Sequence, residues 1–155
     1  MPEMIRVQGL RQIRRRLELL ADPDKTAEFS EAGRAVAQLI VAKAQARAGG
    51  MGPREARAAA TLEPASFAVG AGVLFGGEPG AFGSEFGADR NQRRAGRPGG
   101  EPAEVHGWNQ FRPWKGSGPG AGYFLWPTIR SETDEVLDIY GQALDDIWEA
   151  DDGSG

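Results

Sequence analysis

The chain contains no cysteine among its 155 residues. It therefore has no disulfide framework, no thiolate metal site and no cysteine nucleophile, and its composition fits a reducing compartment. It also contains a single histidine, His106, so no catalytic or metal-binding arrangement can draw on two imidazole rings. We expect a protein that is not an enzyme, with no catalytic residue, no metal site and no cofactor.

Long hydrophobic runs are also missing from the sequence. No apolar stretch approaches the ~20 residues that a membrane-spanning helix needs. Residues 1–6 lack the charged-then-apolar order of a signal peptide. The glycine-rich segments 70–76 and 116–122 lack the spacing and the ending of phosphate-binding loops. We expect no membrane partner, no nucleotide site and assembly in a cytoplasm.

The charges that are present are unevenly distributed. Residues 1–60 carry eleven Lys/Arg and seven Asp/Glu, whereas residues 121–155 carry only Arg130 against nine acids. A basic N-terminal part and an acidic C-terminal part favour head-to-tail contact between identical subunits. The alternative is two solvated helix faces of opposite sign. The candidate charge contacts between subunits are Arg11, Arg14, Arg15, Arg16, Asp138, Asp145 and Asp146.

Helical periodicity dominates both ends of the chain. Leu10, Ile13, Leu17 and Leu20 recur at helical spacing, and Pro23 then interrupts the pattern. A long alanine-rich helix is predicted over residues 24–47, ended by the glycines at 49 and 50. Apolar residues from 129 to 148 predict one terminal helix, with the proline at 127 in its first turn.

The middle of the chain predicts a small sheet and a long loop. Residues 67–75 alternate as in a strand, and residues 58–62 could pair with them across a turn at 63–66, although alanines favour helix as much as strand. Residues 76–122 are rich in glycine and proline but contain several aromatic residues, which should pack on something.

These elements predict an α+β fold in one domain, residues 1–150. It comprises two N-terminal helices, a small antiparallel sheet, a Gly/Pro-rich loop insertion at about 76–122 and a C-terminal helix. Residues 151–155 are expected to form a disordered tail.

Two short motifs in this order resemble a known family. Phe82-Gly83-Ser84-Glu85-Phe86-Gly87 resembles the aromatic-x-x-Glu-Phe-Gly element of the head–tail joining, or tail-completion, proteins of long-tailed bacteriophages. Residues 122–130 resemble the Phe-Leu-x-Pro-Ala element that opens the last helix of that family, with Thr128 in place of alanine. The segment 110–114 resembles the corresponding segment in the actinobacterial-phage branch of this family. The insert at 89–105 is longer and more basic than is usual in the family.

The resemblance implies a structural virion protein of the phage neck. It implies an oligomeric ring, commonly a hexamer, whose partners are neighbouring neck, portal-side and tail-tube or tail-terminator proteins. DNA would pass through the lumen only as cargo, and the protein would reside in the virion after assembly in the host cytoplasm. The motif residues, each either core or interface, are Phe82, Glu85, Phe86, Gly87, Tyr123, Phe124, Leu125 and Pro127. Gly87 is expected to permit a backbone conformation that other residues would resist.

Two other functions remain open at this point. One is a tail terminator or minor tail protein, which would use the same particle context. The other is a small nucleic-acid-binding module, favoured only by the arginine clusters at 14–16 and 90–97.

Overall fold

The computed structural model describes residue 18 and residues 21–67, 70–88 and 110–153. Their helices and strands are α1 (Pro23–Gly49), α2 (Pro53–Ala60), β1 (Glu63–Phe67), β2 (Gly70–Leu74), α3 (Ala81–Phe86), α4 (Leu125–Ser131) and α5 (Thr133–Asp152). The predicted α+β class is confirmed. The predicted first helix with Arg11, Arg14, Arg15 and Arg16, and the basic insert at 89–105, lie outside the described residues.

The long predicted helix is present as α1, and its ends follow from its sequence. Asp22 precedes the helix, and its side-chain oxygen accepts a hydrogen bond from the Asp24 N–H at 2.9 Å. Pro23 occupies the first helical position, where its missing N–H costs nothing. The buried face consists of small and β-branched residues: Gly33, Val36, Ala37, Ile40, Val41, Ala44 and Ala48. This narrow face lets neighbouring elements approach the helix closely.

The predicted sheet is correct in type but wrong in register. Strands β1 and β2 pair antiparallel, with Glu63 opposite Leu74 and Phe67 opposite Gly70. The segment 63–66, predicted as a turn, lies in β1, and most of the predicted partner strand, residues 58–62, belongs to helix α2. Its alanines have high helix propensity, and Pro53 starts the helix at the position where proline is best tolerated.

Helix α1 lies at the centre of the fold. It packs against both strands of the hairpin and against α2, α4 and α5. Phe124, just before α4, is fully buried in the resulting core together with Leu62, Ala59 and Ile40. The ring of Phe75 contacts that of Phe124 edge-on, with centroids 6.0 Å apart. The core therefore depends on residues from both halves of the chain.

The predicted terminal helix is divided in two. Helix α4 ends at Ser131, and Glu132 has non-helical angles of φ −100° and ψ 10° before α5 begins. The hydroxyls of Ser131 and Thr133 donate to backbone carbonyls three or four residues earlier, a pattern that bends helices. Helix α5 extends through Asp151 and Asp152, which the sequence placed in the expected disordered tail, and residues 154–155 of that tail lie outside the described residues.

A salt bridge holds this helix junction to α1. The Lys43 ammonium lies 2.7 Å from a Glu132 carboxylate oxygen and 3.0 Å from one of Glu135. The hydrogen bonds that Lys43 donates to these two carboxylates raise the pKa of Lys43, and the bond to Glu132 lowers the pKa of Glu132. Lys43 is thus an exposed residue that links α1 to α5, and it does not belong to the buried face of α1.

Replacing Lys43 by methionine is expected to lower the melting temperature only at intermediate pH. The stability from the lowered pKa of Glu132 is present above pH 4.5 and is lost as pH falls. The stability from the raised pKa of Lys43 is present below pH 10.5 and is lost as pH rises. Melting curves of both proteins from pH 3 to 11 would test this, and a difference that does not narrow as the pH falls below 4.5 would contradict it.

Candidate interaction site

The two motif segments meet at the carboxylate of Glu85. Its side chain is fully buried. One oxygen accepts hydrogen bonds from the N–H groups of Phe124 and Leu125, both at 3.0 Å, and the other accepts from Trp126 at 2.9 Å. These N–H groups open helix α4, whose own N-cap residue offers no side-chain acceptor. Glu85 therefore caps a helix that begins 40 residues later in the chain.

Helix α3 aims Glu85 at this position. Its buried residues, Ala81, Ser84 and Glu85, follow helical spacing, so one face of α3 turns inward. On the opposite side, Gly122 has a φ of +83° and lies directly beside the carboxylate. A β-carbon at Gly122 would overlap the Glu85 oxygen. Glycine is thus required here both for its backbone conformation and for space.

The chain segment 110–122 is fastened to the end of α3. The Ala88 N–H donates to the Arg112 carbonyl at 2.9 Å, and the Lys115 N–H donates to the Phe86 carbonyl at 2.6 Å. Gly87, between them, has a φ of +74° and a ψ of −167°. The prediction that Gly87 adopts a conformation that other residues resist is confirmed.

Arg112 links the same segment to α2. Its Nε donates to a Glu55 carboxylate oxygen at 3.1 Å and its Nη2 to the Met51 carbonyl at 3.0 Å. Its guanidinium also lies 5.7 Å from the centre of the Tyr123 ring. The Tyr123 hydroxyl donates to the Pro113 carbonyl at 2.7 Å. Residues 110–122, although irregular, are thus held by contacts within the chain.

The motif residues divide between the interior and the surface. Phe124 and Leu125 are buried in the core, and Phe86, Tyr123 and Pro127 are half-buried. Phe82 is 61% exposed, so it is not a core residue of the folded chain. The sequence left open whether each motif residue belongs to the core or to an interface. The prediction that residues 76–122 form a loop missed helix α3.

An open apolar groove of about 520 Å³ runs beside the motif residues. It lies between α1, β2, α3, α4 and α5, and Val36, Phe75 and Ile129 contribute to its floor. Phe82, Trp126 and Leu137 also line it, and they are 61%, 46% and 63% exposed. Sequence periodicity placed Leu137 in the apolar stripe of the last helix. Periodicity shows which face of a helix is apolar, but it does not show what covers that face. Trp126 was not singled out.

The predicted acidic contacts lie on α5. Asp138, Asp145 and Asp146 are all exposed, and the Gln142 side-chain amide donates to Asp146 at 2.7 Å. Their predicted partners at 11–16 lie outside the described residues, so the pairing stays a prediction. Within residues 21–67, 70–88 and 110–153, no three acidic or histidine side chains gather as a metal site would require.

In the part of the chain that the structure describes, no helix combines the length and the hydrophobicity needed to cross a bilayer. Comparison of the chain with protein-family models, curated proteins and solved structures finds no match.

Proposed function

We propose that this protein is a non-enzymatic structural subunit of the neck of a long-tailed bacteriophage. It forms an oligomeric ring, with six-fold symmetry as the expected arrangement, that joins the DNA-filled head to the tail. Its partners are copies of itself and the adjoining neck, portal-side and tail-tube or tail-terminator proteins. DNA passes through the lumen as cargo.

The observation that carries the proposal is the contact between the two motifs on which the resemblance rests. Glu85, from the first motif, accepts hydrogen bonds from Phe124, Leu125 and Trp126 in the second. A buried carboxylate is costly unless its hydrogen-bonding capacity is satisfied. The two motifs therefore share one physical role in this fold, the capping of α4 by Glu85, which supports treating them as a pair.

The apolar groove favours a protein that assembles with other proteins over one that stays a free monomer. Exposed apolar patches rimmed by polar residues are typical of protein interaction sites. Phe82 and Leu137 stand on this groove with more than half of their surface exposed. Covering such side chains with a second surface contributes roughly 25 cal/mol for each Å² of apolar area buried.

We expect charges placed on this groove to abolish assembly without unfolding the subunit. Phe82→Asp or Leu137→Asp would put a carboxylate into the surface that a neighbouring protein covers, and an unpaired buried charge is strongly unfavourable. Light scattering after size-exclusion chromatography measures the oligomer, and circular dichroism checks the fold. Leu74→Asp is the matched control, since Leu74 is 56% exposed but does not line the groove.

Particle morphology provides the direct test of the neck function. Deletion of this gene from the phage or prophage that carries it should leave filled heads and separate tails in electron micrographs. The wild-type gene supplied in trans should restore joined particles, and the Leu137→Asp gene should not. Tails of uncontrolled length would instead identify a tail terminator. Normal particles that lack this protein would reject a virion role.

A further inference from the structure

The pairing of the β-hairpin determines which backbone groups of β2 face outward. Pro64 lies opposite Val73, and because proline has no N–H, these residues cannot exchange the two hydrogen bonds of a bonded pair. Bonded and non-bonded pairs alternate along an antiparallel ladder. Every second residue of β2, beginning with Gly70, therefore bonds to β1. The N–H and C=O groups of Ala71 and Val73 point away from β1, towards the open edge of β2.

The two open edges of the hairpin differ in their capacity to accept a further strand. Among the residues that the structure describes, no group outside the hairpin bonds to the backbone of Ala71 or Val73. The open edge of β1 contains Pro64, and a proline on an edge strand protects that edge against pairing. Strand β2 contains no proline, so its open edge lacks this protection.

The open edge of β2 borders the apolar groove that Phe82 and Leu137 line. Strand β2 contributes Ala71, Gly72 and Val73 to the groove, whereas β1 contributes none of the described lining residues. The remaining lining residues come from α1, α3, α4, α5 and the residue that follows β2. A partner that closes this groove therefore also covers the outward backbone groups of β2.

These backbone groups restrict what can close the groove. A backbone N–H or C=O that is buried without a hydrogen bond is unfavourable. The groups of Ala71 and Val73 repeat at about 6.6–6.8 Å, twice the rise of one residue in a strand. A helix uses its own backbone groups internally, whereas an extended chain offers a donor and an acceptor at every second residue. The edge of β2 thus favours a strand over a helix.

We propose that the groove binds an extended segment of a partner protein, which adds to β2 as a third strand. The segment has apolar side chains at alternate positions, because Ala71 and Val73 pack on the core and the added strand continues that face. Backbone hydrogen bonds supply affinity, and the side chains that enter the groove supply specificity. The inference rests on the assembly role proposed for the groove and specifies the form of the partner.

The strands of a second copy do not suit this role. The open edge of β1 in a copy is protected by Pro64. Pairing of β2 with β2 of a copy would be a two-fold contact, which closes a dimer and does not build a ring. The added strand therefore comes from a different protein. The exposed parts of Phe82 and Leu137 remain available to neighbouring copies in the ring.

Amide exchange of the full chain with a synthetic peptide tests the strand addition. The probe is a short peptide of alternating valine and lysine. In the monomer alone the N–H groups of Ala71 and Val73 should exchange rapidly, and an excess of peptide should slow them by about tenfold or more. Two matched peptides are N-methylated either at the valines or at the lysines. Only one of the two should still protect these amides, because a strand presents every second N–H to its neighbour.

Val73→Pro provides the second measurement. It removes the outward N–H of β2 but none of the hydrogen bonds to β1, and Pro64 already occupies the opposite position of the same pair. It should weaken peptide binding by about tenfold or more. Val73→Ala is the matched control, since it keeps the N–H and shortens the side chain, and it should weaken binding less. Circular dichroism checks that both variants are folded.

The possible results separate this inference from the neck function. Absence of protection by the unmodified peptide, protection by both N-methylated peptides, or equal weakening by the two Val73 variants would overturn the strand addition and leave the neck function standing. Protection of Ala71 and Val73 before peptide is added would also overturn it, because the chain itself or a second copy would already fill the edge. Normal particles without this protein would reject the neck function but would not alter peptide binding.

Discussion

Glu85→Gln is expected to destabilise the subunit by about 2–4 kcal/mol, although the two side chains have nearly the same shape. The carboxylate accepts three backbone N–H groups through its two oxygens. In glutamine, an NH₂ group replaces one oxygen, so a donor faces a donor in a site closed to water. At least one N–H at the start of α4 then loses its partner, and a buried unsatisfied polar group is expensive.

Chemical denaturation measures this loss, and amide exchange locates it. The N–H groups of Phe124, Leu125 and Trp126 should lose protection in the variant before the rest of the core does. Glu63→Gln is the matched control, because Glu63 is exposed on β1 and its replacement should change stability by less than ~0.5 kcal/mol. Equal stability of the Glu85 and Glu63 variants would show that the buried carboxylate does not hold α4.

Gly87→Ala is expected to destabilise the subunit by about 3 kcal/mol or more, from two separate causes. A φ of +74° combined with a ψ of −167° is a conformation that essentially only glycine adopts. In addition, the new methyl group would overlap the backbone carbonyl of Pro113. Because that carbonyl belongs to the backbone, it cannot rotate away, and the contact between α3 and the segment 110–122 must open.

Gly118→Ala tests a positive φ alone, without the overlap that a methyl group at Gly87 would make with Pro113. Gly118 also has a positive φ, +79°, but a β-carbon there would meet nothing within 4 Å. We expect this variant to lose only about 1 kcal/mol, the cost of a positive φ in a residue with a side chain. Thermal melts of the two proteins make the comparison. If both variants lost the same stability, the close approach of Pro113 to Gly87 would contribute nothing to the destabilisation.

The sequence by itself determined the elements whose signals are local. Helix α1 was predicted because its alanine-rich, periodic segment and the glycines at its end are signals that act within a few residues along the chain. The special conformation of Gly87 was predicted because glycine is the residue that tolerates it. The α+β class followed from a change of hydrophobic period along the chain.

Where local signals conflicted, the tertiary structure decided. The alanines at 58–60 have no strong strand preference, so Pro53 and burial against α1 made them helical and moved the hairpin towards the C-terminus. The break at Glu132 arises where hydroxyl groups compete for carbonyls and Lys43 of another helix holds the junction. Sequence periodicity cannot detect a partner that lies about 90 residues away.

The candidate site shows the same division. The motif residues were identified from the sequence, but their roles depended on contacts between distant segments. Glu85 became a helix cap only because the fold brings α3 beside the start of α4. Phe82 and Leu137 became surface residues only because the subunit leaves one side of its core open. A sequence encodes which side chains are apolar, whereas burial depends on which surfaces the folded chain places opposite them.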